Sequence, residues 1–104
     1  MLDSHSKELL PGQQMVEQGL ADLARKNLTE SALLVLIAAP RLKSLGIAVP
    51  QLPLPASPEH MLYSRLEERL GAGAHSCYNG LLRRIVSYAH ARESEVQNDA
   101  LTKP

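Results

Sequence analysis

The segment Ser31-Ala32-Leu33-Leu34-Val35-Leu36-Ile37-Ala38-Ala39-Pro40 constrains the fold most. Its eight consecutive apolar residues, Ala32 to Ala39, present no polar side to water as a helix or as a strand, so the rest of the chain must enclose them. Val35-Leu36-Ile37 is β-prone, but no second strand-like run exists to satisfy the backbone groups of a strand here. The segment is therefore read as a buried central helix.

Composition supports that reading. There is no Trp or Phe, and Tyr63, Tyr78 and Tyr88 are the only aromatic residues, so Leu, Ile, Val, Met and Ala must fill the core. Leu and Ala favour helices, while the aromatic and β-branched residues that sheets favour are scarce. At 104 residues the chain fits one domain.

Local signals then divide the chain. Pro11-Gly12 precedes a first helix at about 13–26, with Val16, Leu20, Leu23 and Ala24 inward and Glu17, Gln18, Asp22 and Arg25 outward. Gly19 weakens this helix by about 1 kcal/mol relative to Ala unless a neighbouring helix crosses closely there. Asn27 is the expected left-handed stop. Thr29 then serves as N-cap for a helix at about 30–39, with Glu30 in its first turn and Leu28 and Leu33 placed as a hydrophobic staple.

Pro40 ends or kinks that helix and opens a short turn over 40–45, closed by Gly46 with Leu42 and Ile47 at the contact positions of a Schellman cap. Residues 48–57, with Pro50, Pro53 and Pro55, form a stiff extended strap that lies on the helices through Val49, Leu52 and Leu54. Its functional alternative is a docking motif for proline-reading domains.

Ser57-Pro58-Glu59 starts a helix at about 58–70 whose inner face is Leu62, Leu66 and Leu70, and Gly71-Ala72-Gly73 stops it. A long amphipathic helix at about 74–93 follows, with Tyr78, Leu81, Leu82, Ile85, Tyr88 and Ala89 inward and Val86 widening the stripe. The expected fold is an all-α compact bundle of four main helices spanning residues 11–93, with a mobile arm at 1–10 and a mobile tail at 94–104.

Eleven basic and eleven acidic side chains cancel, so no bulk field attracts nucleic acid or anionic lipid. The lone Cys77 excludes an internal disulfide and suits a reducing compartment. The first residues lack the basic start and apolar middle of a secretory signal, and the longest apolar run falls short of the ~20 residues of a membrane span. A cytoplasmic protein without membrane association is the expectation.

No catalytic, metal or cofactor constellation stands out. His75 and Cys77 match no paired-ligand spacing and diverge on a helix, and Cys77 lacks a family signature for a nucleophile. The carboxylates Glu67, Glu68, Glu93 and Glu95 sit among opposite charges, and Gly71-Ala72-Gly73 lacks the context of a phosphate loop.

Two function classes remain. The first is a non-enzymatic interaction or regulatory module that pairs with itself, as a homodimer, or with another protein through Val49, Leu52, Leu54, Val86 and Tyr88. The second is binding of nucleic acid or another polyanion through Arg41, Lys43, Arg69, Arg83 and Arg84, which lie in acid-poor stretches. Its bland counterpart is surface arginines paired with acids such as Glu17 and Asp22. A helix-turn-helix centred on Gly71 fits poorly, because the second helix is too broadly apolar to read a groove.

Overall fold

Thr29 opens the central helix as its sequence predicts: its side-chain oxygen accepts from the backbone N–H of Ala32 at 3.1 Å. The computed structural model describes residues 10–102, with side chains through Glu95. Its elements are α1 (Gln13–Ala24), α2 (Glu30–Ile37), α3 (Ala39–Ser44), α4 (Pro58–Leu70), a 3₁₀ turn at Gly71–Gly73 and α5 (Ala74–Thr102). The architecture is all-α and compact, and no strand occurs among the described residues.

Helix α2 is the hub. It packs against α1, α4 and α5, and Ala32, Leu33, Leu34 and Val35 are all buried. Leu33 is buried and Leu28 packs on the same core, the placement that a hydrophobic staple requires. Leu62 and Leu66 of α4, with Ile85, Tyr88 and Ala89 of α5, close the other sides. Tyr63 of α4 meets Tyr78 of α5 edge to face, with ring centroids 5.2 Å apart, and pins these helices near their turn.

Helix α1 seats on α2 through Gly19. A β-carbon there would overlap the carbonyl oxygen of Ser31 and lie 2.5 Å from Cγ2 of Val35, so the two backbones approach as closely as only glycine permits. This approach rotates the inner face of α1 from the expected one. Asp22, at i+3 from Gly19, is buried, whereas Ala24 is exposed.

The boundaries differ from expectation for local reasons. Helix α1 ends at Ala24 rather than near residue 26, and the left-handed residue is Lys26, with φ of 61°, rather than Asn27. Lys26 N–H donates to Leu23 O at 2.9 Å and Asn27 N–H to Asp22 O at 2.8 Å, the two bonds of a Schellman motif whose register assigns the strained position to Lys26. The same motif closes α3 where the sequence places it: Gly46 has φ of 89°, and Ile47 N–H donates to Leu42 O at 3.0 Å.

Helix α2 breaks at Ala38 rather than Ala39, so α3 spans 39–44 rather than 40–45. Continuing α2 through Pro40 would drive the proline ring into the carbonyl of Leu36, whereas in the first turn of α3 Pro40 needs no N–H. Ser57 caps α4 by accepting from His60 N–H at 3.2 Å, and α4 keeps its expected limits. Leu70, however, is 39 % exposed rather than inward.

Helix α5 continues to Thr102, beyond the expected end near Glu93. No Pro or Gly interrupts residues 94–102, and Glu95, Gln97, Ala100 and Leu101 are good helix formers. The arm expected at 1–10 lies, apart from Leu10, outside the described residues.

Two glycine substitutions test the close approach by opposite signs. Gly19→Ala gains about 1 kcal/mol of helix propensity but must push α2 away, so it should lower the unfolding free energy by about 1–3 kcal/mol net. Gly80→Ala, whose added carbon meets nothing within 4 Å, should raise it by about 0.5–1 kcal/mol. Denaturant unfolding of both variants reads the contrast, and a stabilised Gly19→Ala protein would contradict the packing described.

Candidate functional site

The candidate surface grows out of the end of the apolar run. Ile37 and Ala38 close α2 half-buried rather than enclosed, and α5 runs past them with Leu82, Ile85, Val86 and Ala89. Between the two lies a groove of about 240 Å³ whose lining is apolar except for Arg41. Val86 stands at its edge, 57 % exposed, the most exposed large apolar side chain among the described residues. At the lip, Arg41 Nη2 donates to Glu93 Oε1 at 3.0 Å, so the groove is bordered by one cation and one anion.

The structure separates the five residues expected to form an interaction surface. Val86 borders the groove, and Leu52 and Leu54 lie half-buried on the strap. Val49 and Tyr88 are withdrawn from the surface into the core. Val49 anchors the strap, and Tyr88 packs where α5 passes Gly12, a contact that a helical wheel of α5 alone does not reveal.

The five basic candidates do not form one unopposed face. Arg69 binds Glu30 with both arms, Nε at 3.0 Å and Nη2 at 2.9 Å, and this carboxylate raises the guanidinium's affinity for its proton further. The pair joins the end of α4 to the start of α2, where each charge also complements its helix dipole. Arg41 is engaged by Glu93. Arg83 and Arg84 line one open cleft with Pro11, Gly12, Gly80 and Ser87, and Lys43 is exposed on α3. The expected acidic partners were Glu17 and Asp22, but among the described ion pairs only Arg25 reaches Asp22, at 3.5 Å.

Asp22 is the buried carboxylate that sequence reasoning placed in solvent. Its Oδ2 accepts from the Thr29 hydroxyl at 2.7 Å and its Oδ1 from Gln18 Nε2 at 2.9 Å. Thr29 thus accepts from Ala32 N–H and donates to Asp22, linking the end of α1 to the cap of α2. The Thr29 bond is the main reason the Asp22 carboxyl titrates below the ordinary value of 3.8, against the opposing effect of burial, with Gln18 and Arg25 adding to the lowering. Those hydrogen bonds make Asp22 a fastener rather than a free acid. The spacing of Asp22 to a capping Thr29, seven residues on, is the only sequence signal for it.

Other reactive groups stand apart. His75 shares a 3.2 Å contact with Asn79, and Cys77 is free and half-buried. Among the described residues no three His, Cys, Asp or Glu side chains gather closely enough to hold a metal ion, and no helix is long and apolar enough to cross a membrane. Comparison with protein-family models, with curated proteins and with solved structures finds no match to this chain.

The lowered Asp22 value fixes a sign for acid stability. The folded state binds this proton more weakly than the unfolded chain, so the stabilisation is complete above the unfolded value and is lost as pH falls through the lower, folded one. Melting temperature should therefore drop as the solution is acidified below the ordinary carboxylate range. Asp22→Asn should be less stable at neutral pH and show a shallower acid dependence; an unchanged acid slope would remove Asp22 from the account.

Proposed function

We propose that the chain is a non-enzymatic helical interaction module that pairs with a second copy of itself through the groove between Ile37–Arg41 and α5. The observation that carries this reading is the exposed Val86 beside an apolar groove. Isolated exposed apolar residues are ordinary, but one that borders a concave apolar lining offers both a knob and a hole.

The second copy is favoured by charge. A two-fold interface places the same patch on both sides, so the patch must be self-complementary. An apolar groove whose lip carries Arg41 and Glu93 together meets that condition in kind, and a net charge of zero opposes no approach of two copies. A stable interface needs roughly 800 Å² from each partner, more than the groove alone supplies. The 29 residues of α5, about 43 Å of helix, provide the length over which the contact extends.

A second reading, polyanion binding, rests on Arg83 and Arg84 lining one cleft. Arg41 and Arg69 are already occupied by carboxylates, which leaves fewer phosphate contacts than the sequence suggested and makes this reading the weaker.

Light scattering across a dilution series from high to low micromolar tests the pairing. The protein should shift from twice its chain mass towards the monomer on dilution, and Val86→Asp should weaken the dimer at least about tenfold by placing a charge in the contact. Because Val86 is largely exposed, the variant's unfolding free energy should stay within about 0.5 kcal/mol of the parent. A monomer at high micromolar concentration, or a Val86→Asp dimer of unchanged strength, would overturn the proposal.

A further inference from the structure

The cleft between Pro11-Gly12 and α5 carries an observation independent of the groove beside Val86. Gly80, Arg83, Arg84 and Ser87 recur at i, i+3, i+4 and i+7, so they share one face of α5, and that face runs past Pro11 and Gly12. The approach is close. A β-carbon on Gly12 would lie 3.0 Å from Cγ of Arg84 and 3.1 Å from its carbonyl oxygen, so the bare backbone of Gly12 seats the stem of Arg84.

The guanidinium groups beyond that seat are uncommitted. Among the described residues, Arg83 and Arg84 enter no ion pair and no side-chain hydrogen bond, unlike Arg41 and Arg69. Glu30 shares a hollow with Arg84, but Arg69 holds both of its oxygens. Two further hollows meet at Gly12 and Arg84, one of about 500 Å³ that takes in Arg83 and Ser87 and one of about 350 Å³ that reaches Gln14 and Met15. No carboxylate lines either of them. Gly80, where a β-carbon would meet nothing within 4 Å, leaves the floor of the larger one open.

We propose that this cleft binds a small phosphomonoester, its phosphoryl group between Arg83, Arg84 and Ser87 and its organic part towards Gln14 and Met15. A phosphoryl group presents three terminal oxygens, enough to accept from two guanidinium forks and a hydroxyl together, whereas a carboxylate presents two. The hollows have the volume of small-molecule sites and far exceed a bare phosphate, which favours an ester over the inorganic ion. Two cations match one dianion, whereas a polymer gains affinity with each further phosphate that is neutralised. The site therefore takes the two arginines of the polyanion reading and assigns them a different ligand.

The test titrates the full chain calorimetrically with glycerol 3-phosphate, glucose 6-phosphate, inorganic phosphate and duplex DNA in turn. At least one of the two esters should bind with a Kd below about 1 mM and more tightly than inorganic phosphate. Arg84→Gln, which keeps the Cγ that rests on Gly12, should weaken that binding at least about tenfold. Gly80→Leu, which fills the cleft without changing its charge, should abolish it, and thermal melts confirm that both variants fold. Binding of neither ester below about 1 mM, inorganic phosphate bound as tightly as the esters, or ester binding untouched by either substitution would each overturn the proposal. Duplex DNA bound in the absence of ester binding would overturn it while leaving the polyanion reading in place, and none of these outcomes bears on pairing through Val86.

Discussion

Past Glu30 and Ser31, helix α2 presents no hydrophilic side, and the molecule is arranged to keep water from it. Isolated helices of this length do not form, so α2 owes its conformation to its neighbours. Burying Leu33, Leu34 and Val35 at once requires cover from three directions, and α1, α4 and α5 each supply one. The cover is unusually close on the α1 side, where Gly19 removes the side chain that would hold the backbones apart. That closeness has a polar consequence: Asp22 enters the joint and must be satisfied there, and Thr29 and Gln18 satisfy it.

Much of this order is legible in the residues because it is set locally. Thr29, Ser57 and Gly46 act where a cap or a left-handed residue is needed, and each does so through bonds to groups within five residues. The central run needs no partner to reveal that it is buried. What the sequence does not reveal depends on how helices cross. The face of α1 turns towards Gly19 because α2 sits there, carrying Asp22 in and Ala24 out. The left-handed residue shifts from Asn27 to Lys26 because the Schellman register, not residue preference, decides it.

The candidate surfaces follow the same division. Val86 is legible as the residue that makes the stripe of α5 too wide for one neighbour, and it is the one left exposed. Val49 and Tyr88 are legible as inward, from the strap and from the stripe of α5, and their burial in the core removes them from the surface that the same apolar character suggests. Arg41 and Arg69 lie in acid-free stretches, yet Glu93 and Glu30, 52 and 39 residues away, neutralise them. Linear charge spacing is a poor guide to a surface patch whenever helices from the two ends of a chain lie side by side. The outcome is a molecule whose distinctive features are shapes, a groove beside α5 and a proline strap over the core, rather than a gathering of reactive groups.

The dependence of the fold on an enclosed α2 is tested most directly by amide hydrogen exchange in the native state. Amides of Leu34, Val35, Leu36 and Ile37 should be among the slowest in the chain and exchange only through global unfolding, although their helix is one of the shortest. If these amides instead exchanged by local opening, faster than those of Ile85 to Ala89 in the long helix α5, the central helix would not be what the other helices are built around.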